Sequence, residues 1–422
     1  MDCGSASISF CDTLAGTTFV RTHPAITNSK IAKVQSSQRG TSPTRVAPTG
    51  RLRHVVLLIG QLGIGGTEKQ VFLLATGLAR SGVTVNVVTL HSDGPYRDEL
   101  IRAGVPVHNA GFTGLSTGVM ALPRNLLAAA RLTLLLLRLR PDVLHAFLYH
   151  GYVIGAPIAR VARVPVVVAG RRSLSDFKQG RRWVYALERA ATRLTRHVVA
   201  NAVAVARDAQ TVECVAPEKL SVIYNGLPAS AFVPDTPTRV DTVLPVVLCV
   251  ANLTAHKGHR FLIEAVALLA VRGTPCTLLL AGEGPEREAL LRQAAGAGVD
   301  MRLLGHRRDI EALMCRASAV VLSSLHEGMS NAVMEAMAAG RPIVATAVGG
   351  TCELLDERGL LVPPADPRAL ADALERVLHD PHLAARLGAA ARAWALKNLD
   401  MDSMIQHHLD LYRRLLEKPC AR

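Results

Sequence analysis

Aromatic residues make up only 4% of this 422-residue chain, against 49% hydrophobic residues overall. Its apolar content is therefore mainly alanine, leucine and valine, which fits an α/β protein with ordinary cores better than a fibre or a disordered chain. Eight cysteines run from Cys3 to Cys420 without one CxxC pair. That spacing argues against a zinc ribbon or a disulfide framework and is consistent with a reducing cytoplasm. No uninterrupted apolar run reaches the roughly 20 residues a spanning helix needs. The longest, residues 125–140, is broken by Arg131 and Arg138. Acidic residues are also in short supply, 34 against 48 basic, for a net charge of +14.

The positive charge is concentrated. Residues 120–210 hold fifteen Lys or Arg and four Asp or Glu. Arg124, Arg131 and Arg138 recur every seven residues, one stripe of a leucine-rich helix. Arg171, Arg172, Arg181 and Arg182 follow, with Trp183 and Tyr185 beside them. Such a surface suits an anionic membrane, a phosphate-bearing acceptor or nucleic acid. No recognised nucleic-acid module accompanies it, so nucleic acid is set aside.

Residues 1–50 contain fifteen Ser or Thr, no helical or strand periodicity and no apolar core of a secretory signal. They are expected to form a disordered extension. From residue 51 onward, continuous apolar runs such as "HVVLLIG", "TVNVVTL", "VPVVVAG" and "HVVANAVAV" alternate with helical periods. That pattern predicts a parallel sheet covered on both faces. Four prolines across residues 225–245 suggest a linker, after which the alternation resumes with "VVLCVAN", "CTLLLAG", "MRLLG", "AVVLSS" and "PIVAT". The expected organisation is a Rossmann-like domain at 51–235, a second at 236–398 and a closing helical segment at 399–422. Ligands of such sheets lie beyond the carboxyl ends of the strands.

Three of those ends carry chemistry. After the first strand comes "GQLGIGGTEKQ", where Gly65 and Gly66 let backbone approach a ligand and a helix N-terminus offers N–H groups to an anion. A nicotinamide fingerprint is disfavoured, because Glu68 stands where its third glycine belongs and "VVTLHSD" ends without an acid for a ribose. In the second half, "ANLTAHKGH" places Asn252 and Lys257 ahead of a helix, where an ammonium group could neutralise a diphosphate. "AGEGPERE" supplies Gly282 and Gly284, and "LLGHRRDI" supplies His306 as a candidate for a base pocket. "SSLHEGMSNAVMEAM" sets Glu327 and Glu335 eight residues apart, about 12 Å if helical rise applies, comparable to the span from a sugar to the ribose of its nucleotide. Gly328, Ser330 and Asn331 lie between them, around a helix tip. No metal ligand cluster is apparent in these loops.

Glu327 to Glu335 resembles the E-x7-E motif of retaining nucleotide-sugar glycosyltransferases of family 4, enzymes of GT-B fold. "GGTE", "VIYNGL", "HKG", "GEGPER" and "GGTCELL" extend the resemblance from about His54 to the C-terminal helix. It implies two Rossmann-like doubly wound domains facing a cleft and a metal-independent transfer that keeps anomeric configuration. It also implies that Lys257 holds the diphosphate, Glu327 the donor sugar and Glu335 the ribose, with Gly65 and Gly66 across the cleft. One departure stands out: Asn252 occupies the place of an arginine that normally partners the lysine. Arg260, Arg171 or Arg172 are candidates to replace that cation.

His145, in "LHAFLYHG", is a further candidate for contact with the sugar or acceptor. The resulting expectation is a cytoplasmic transferase using a nucleoside diphosphate sugar as co-substrate, with no cofactor and no metal. Its acceptor would be a glycan or lipid-linked acceptor, with peripheral contact to an anionic membrane through the basic first domain. An epimerase or phosphorylase of the same fold, or a noncatalytic nucleotide-sugar binder, would share the same donor site.

Overall fold

The computed structural model describes residues 52–113, 121–175, 182–233 and 235–417. The expectations for the N-terminal extension and for Arg181 lie outside those residues.

The first half runs β1 (His54–Gln61), α1 (Gly66–Arg80), β2 (Thr84–Ser92), α2 (Pro95–Arg102), β3 (Val107–Asn109), α3 (Ala121–Leu139), β4 (Val143–Phe147), α4 (Leu148–Val161), β5 (Val166–Arg171), α5 (Arg182–Leu194), β6 (His197–Ala200), α6 (Val203–Glu213) and β7 (Leu220–Val222). The second runs β8 (Val246–Val250), α7 (His259–Val271), β9 (Thr277–Ala281), α8 (Arg287–Gly296), β10 (Met301–Gly305), α9 (Ile310–Arg316), β11 (Ala319–Leu322), α10 (Asn331–Ala338), β12 (Ile343–Thr346), α11 (Thr351–Leu355), β13 (Leu360–Val362), α12 (Pro367–His379), α13 (Pro381–Asn398) and α14 (Met401–Glu417).

Two parallel sheets result, a seven-stranded one ordered β3-β2-β1-β4-β5-β6-β7 and a six-stranded one ordered β10-β9-β8-β11-β12-β13. Both are doubly wound, as the alternation of apolar runs and helices requires. Strand β1 shows why the runs are continuous. Val55, Leu57 and Ile59 face a layer containing α1 and α14, while Val56 and Leu58 face a layer containing α3, α4 and α5. With both faces covered, no polar alternation survives.

Strand order reverses beside β1 in one sheet and beside β8 in the other. A crevice opens at such a switch point, which is why the loops after β1, β8 and β11 hold the site.

One run divides differently from the sequence reading. "HVVANAVAV" is strand only to Ala200, and its last residues open α6. The backbone N–H groups of Val203 and Ala204 donate to the Glu353 carboxylate at 3.0 and 3.3 Å. A residue 150 positions away thus supplies the N-terminal partners of that helix, a tertiary contact invisible to local periodicity. Local signals do set α12 and α13, where Asp366 and Asp380 each precede a proline and accept from Ala369 N at 3.0 Å and Leu383 N at 2.9 Å. Both are N-caps with proline at the first helical position.

The last helix crosses back to the first half. Met404, Ile405, Leu409 and Tyr412 of α14 join the core that β1 and α1 form.

Candidate active site

Between the two halves lies a cavity of about 530 Å³ lined from both sides. It brings together Gly65, Gly66, Asn252, Lys257, Gly282, His306, Glu327, Ser330, Asn331 and Glu335. Their common position follows largely from topology: most sit in the strand-end loops or helix starts beside the reversals, while His306 reaches the cavity from the end of the edge strand β10.

Glu327 lies in the loop between β11 and α10. Its carboxylate accepts from Lys257 Nζ at 2.6 Å and from Ser324 Oγ at 2.8 Å. Both members of that ion pair are largely buried, so the contact is electrostatically stronger than a surface pair. Lys257 retains further N–H donors for an anion. Ser330 caps α10, its hydroxyl accepting from Val333 N at 3.4 Å, and Asn331 is the first helical residue.

Glu335 sits in the second turn of α10 and is 8% exposed. Its carboxylate receives Lys69 Nζ at 2.6 Å from helix α1 of the opposite half. Burial raises the Glu335 pKa above its ordinary value, and the attraction of Lys69 offsets this in part. A polar chain runs parallel to this bridge. Asn331 Nδ2 donates to the Gly66 carbonyl at 3.0 Å, Asn225 Nδ2 to Asn331 Oδ1 at 2.9 Å, and the Arg172 guanidinium to Asn225 Oδ1. The halves are therefore joined through residues that line the cavity.

Glycine is needed here for close approach. A Cβ on Gly282 would lie 2.0 Å from the Ala251 carbonyl oxygen. A Cβ on Gly328 would lie 2.1 Å from the Arg172 carbonyl oxygen, and one on Gly284 2.3 Å from that of Leu253. All three pack backbone against backbone; Gly282 also lines the cavity, whereas Gly328 and Gly284 hold the adjoining loops close behind it.

Two other expectations are corrected. His145 has no exposed surface. Its Nδ1 shares a 2.7 Å hydrogen bond with the Tyr412 hydroxyl, and its ring stacks on Phe147. Burial first, then the nearby His408 and Arg172, hold its pKa well below the ordinary histidine value. A side chain so enclosed touches no substrate in this conformation.

Arg171 and Arg172 are likewise interior, 4% and 9% exposed. Arg171 pairs with the buried Glu188 and Glu213 and covers the Tyr152 ring at 3.7 Å. Arg172 stands over Phe147, and burial lowers its pKa to about 10. Neither offers its charge to a membrane or acceptor. The doublet is basic in sequence, but strand β5 carries it into the interior, where glutamates far along the chain meet Arg171. Arg182, the first residue of α5, is exposed.

Arg260 does not reach the cavity; it lies over the Phe261 ring at 4.4 Å. The cations that do line it beside Asn252 and Lys257 are Lys69, Arg307 and Arg308. Arg307 is held by Asp309 at 2.6 Å. Lys69, Tyr96, Glu99, Arg308 and Glu311 are lining residues that motif reading passed over. Lys69 had a signal: it lies in the first turn of a helix whose N-terminus was already assigned to the cleft. Tyr96 and Glu99 had none, because α2 reaches the cavity only through the packing of the two halves.

Comparison with known proteins supplies three findings. Residues 64–230 match the family described as "Glycosyltransferase Family 4", and residues 244–380 match "Glycosyl transferases group 1". Among curated relatives, an alpha-D-kanosaminyltransferase of Streptomyces kanamyceticus is 32% identical over 40% of this chain and 46% of that enzyme. The chain thus spans about half the length of that relative. A glycogen synthase of Mycobacterium tuberculosis is 29% identical over 83% of this chain and 91% of that enzyme. Among solved structures, that of Anabaena HepE in complex with UDP-glucose superposes with a TM-score of 0.72 at 22% identity, over 85% of this chain and 98% of that one.

Proposed function

The chain belongs to the group 1, family 4 glycosyltransferases, and from that premise we propose that it moves a sugar from a nucleoside diphosphate sugar to an acceptor hydroxyl, with retention at the anomeric carbon. The observation that carries this reading is the meeting of Lys257, Glu327, Glu335 and the N-terminus of α10 around one cavity.

In that arrangement the diphosphate lies against the Lys257 ammonium and the N–H groups at the tip of α10, which together stabilise the charge left as the glycosidic bond breaks. Glu327, tethered by Lys257 and Ser324, accepts from hydroxyls of the sugar. Glu335, oriented by Lys69, accepts from hydroxyls of the ribose. Arg308 adds the cation that Asn252 does not provide. The acceptor oxygen attacks the anomeric carbon from the face the diphosphate leaves, and its proton passes to the departing phosphate oxygen. The protein's part is positioning and electrostatic stabilisation, with fixed cations where a metal would otherwise serve.

The acceptor is a glycan or lipid-linked glycan of cell-envelope synthesis, entering from the first half at the cytoplasmic face of the membrane. The basic, leucine-rich helices of that half support this choice.

The test is a transfer assay with the full chain, labelled nucleoside diphosphate sugars and lipid-linked or oligosaccharide acceptors, in the presence of EDTA. Glu327→Gln and Lys257→Met should each lower turnover about 100-fold or more, the range seen when one preorganised electrostatic partner is removed, with unchanged circular dichroism. Undiminished transfer by both variants would refute the assignment. Dependence on added divalent metal would refute the role given to the fixed cations.

A further inference from the structure

Helix α3 is apolar on two sides. Ala128, Leu132 and Leu136 enter the core against β1 and β4. On the other side Leu122, Leu126, Leu127, Leu134 and Leu137 are 45–66% exposed. At 100° per residue these five leucines occupy an arc of about 140°, and Arg124, Arg131 and Arg138 fall next to it, between the exposed leucines and the buried edge. All three arginines are exposed, and the helix carries no acidic residue.

Helix α5 repeats the design. Trp183, Leu187 and Leu194 are 39–57% exposed, and the exposed Arg182, Arg189 and Arg193 lie along their flank. Its one acid, Glu188, is turned inward to Arg171. Helices α3 and α5 pack on either side of α4 on the same face of the seven-stranded sheet. Their outer surfaces therefore belong to one layer.

An array of exposed leucines on this scale is unusual for a protein surrounded by water on all sides. No described helix is long and apolar enough to cross a membrane, so these leucines serve a surface and not a span. The arginines select its sign. A second copy of the chain is disfavoured as occupant, because pairing would bring together two faces that are both rich in arginine and carry no exposed acid to answer it. A helix with leucine below and arginine at the edge fits the boundary of an anionic bilayer, with Trp183 at headgroup level.

We infer that the outer faces of α3 and α5 form a docking surface for anionic lipid, on which the chain lies without spanning the bilayer. The surface stands on its own geometry and does not depend on the transfer reaction.

The experiment is sedimentation of the full chain with vesicles of phosphatidylcholine alone or mixed with phosphatidylglycerol. Sedimentation should require phosphatidylglycerol, weaken with salt, and shift the emission of the exposed Trp183 to shorter wavelength. Leu126→Glu with Leu134→Glu should reduce binding at least about tenfold, since it puts two acids in the apolar face. Replacing Arg124, Arg131 and Arg138 by Gln should reduce it about 100-fold, at roughly a factor of five for each arginine near an anionic surface. Both variants should keep wild-type thermal stability and donor binding.

Equal binding to both vesicle types, no binding to either, or unchanged binding by the leucine variant would overturn the inference. So would a concentration-dependent dimer, detected by light scattering, that the leucine variant dissolves, since that would assign the face to a second copy.

Discussion

Replacing Lys69 by Met removes the cation that α1 presents to Glu335 and leaves a carboxylate 8% exposed with no ion-pair partner among the described residues. Breaking a buried pair from one side destabilises by about 3–5 kcal/mol, but Glu335 has an escape: it can take up a proton. Starting from its ordinary value of 4.5, that route costs at most about 3.4 kcal/mol at pH 7 and about 0.7 kcal/mol at pH 5, at 1.36 kcal/mol per unit. The penalty of Lys69→Met therefore has a ceiling that falls as the solution is acidified.

The sign agrees with linkage. A carboxyl whose folded pKa is raised favours the folded state below the unfolded value and loses that contribution as pH rises through the folded value. Removing Lys69 raises the folded value further and widens that window. Urea unfolding of wild type and Lys69→Met at pH 7 and pH 5 should give a difference of about 2–3.4 kcal/mol at the higher pH and under about 1 kcal/mol at the lower. Lys69→Met with Glu335→Leu should recover most of the loss. A difference under about 0.5 kcal/mol at pH 7, or one that does not change with pH, would refute the idea that these charges meet in a low-dielectric cleft.

Other residues give shorter tests. Arg171→Met removes the buried guanidinium that contacts Glu188 and Glu213 and should destabilise by about 3–5 kcal/mol in urea, while vesicle binding by the remaining folded protein is unaffected. Gly328→Ala would place a methyl 2.1 Å from the Arg172 carbonyl oxygen; the loop bearing Glu327 must move, so kcat should fall at least about tenfold with a stability loss of about 1–3 kcal/mol. His408 is buried with its pKa pushed down to about 3, mainly by desolvation. Its contribution is present above the unfolded value near 6.5 and is lost as pH falls toward 3. His408→Leu should therefore flatten the loss of stability between pH 6.5 and 5 by up to about 2 kcal/mol.

The β1, β8 and β11 ends were legible because local sequence writes them plainly, with an apolar run, a glycine-bearing turn and a helix start. Lys257, Glu327 and Glu335 inherit their common cavity from that topology, so naming the strands nearly names the site. His145 was misread for the same reason. It too lies on a strand near a switch point, but only the arrival of Tyr412 and His408 from the far end of the chain encloses it. Arg171 and Arg172 read as surface charge because their partners, Glu188, Glu213 and Asn225, are not sequence neighbours. Lys69 and Tyr96 depend on how one half rests on the other, which no local pattern encodes. Four of the five exposed leucines of α3 lay within the longest apolar run, yet periodicity alone did not separate them from the leucines facing the core.

The central claim is that a nucleoside diphosphate sugar binds in this cleft through Lys257. Isothermal titration of UDP-, GDP- and ADP-linked sugars into the full chain, with EDTA present, tests it most directly. At least one donor should bind with one site per chain, and Lys257→Met should weaken that binding about 10- to 100-fold, the worth of one charge-assisted hydrogen bond. Failure of every donor to bind, or equal affinity in wild type and variant, would contradict the account.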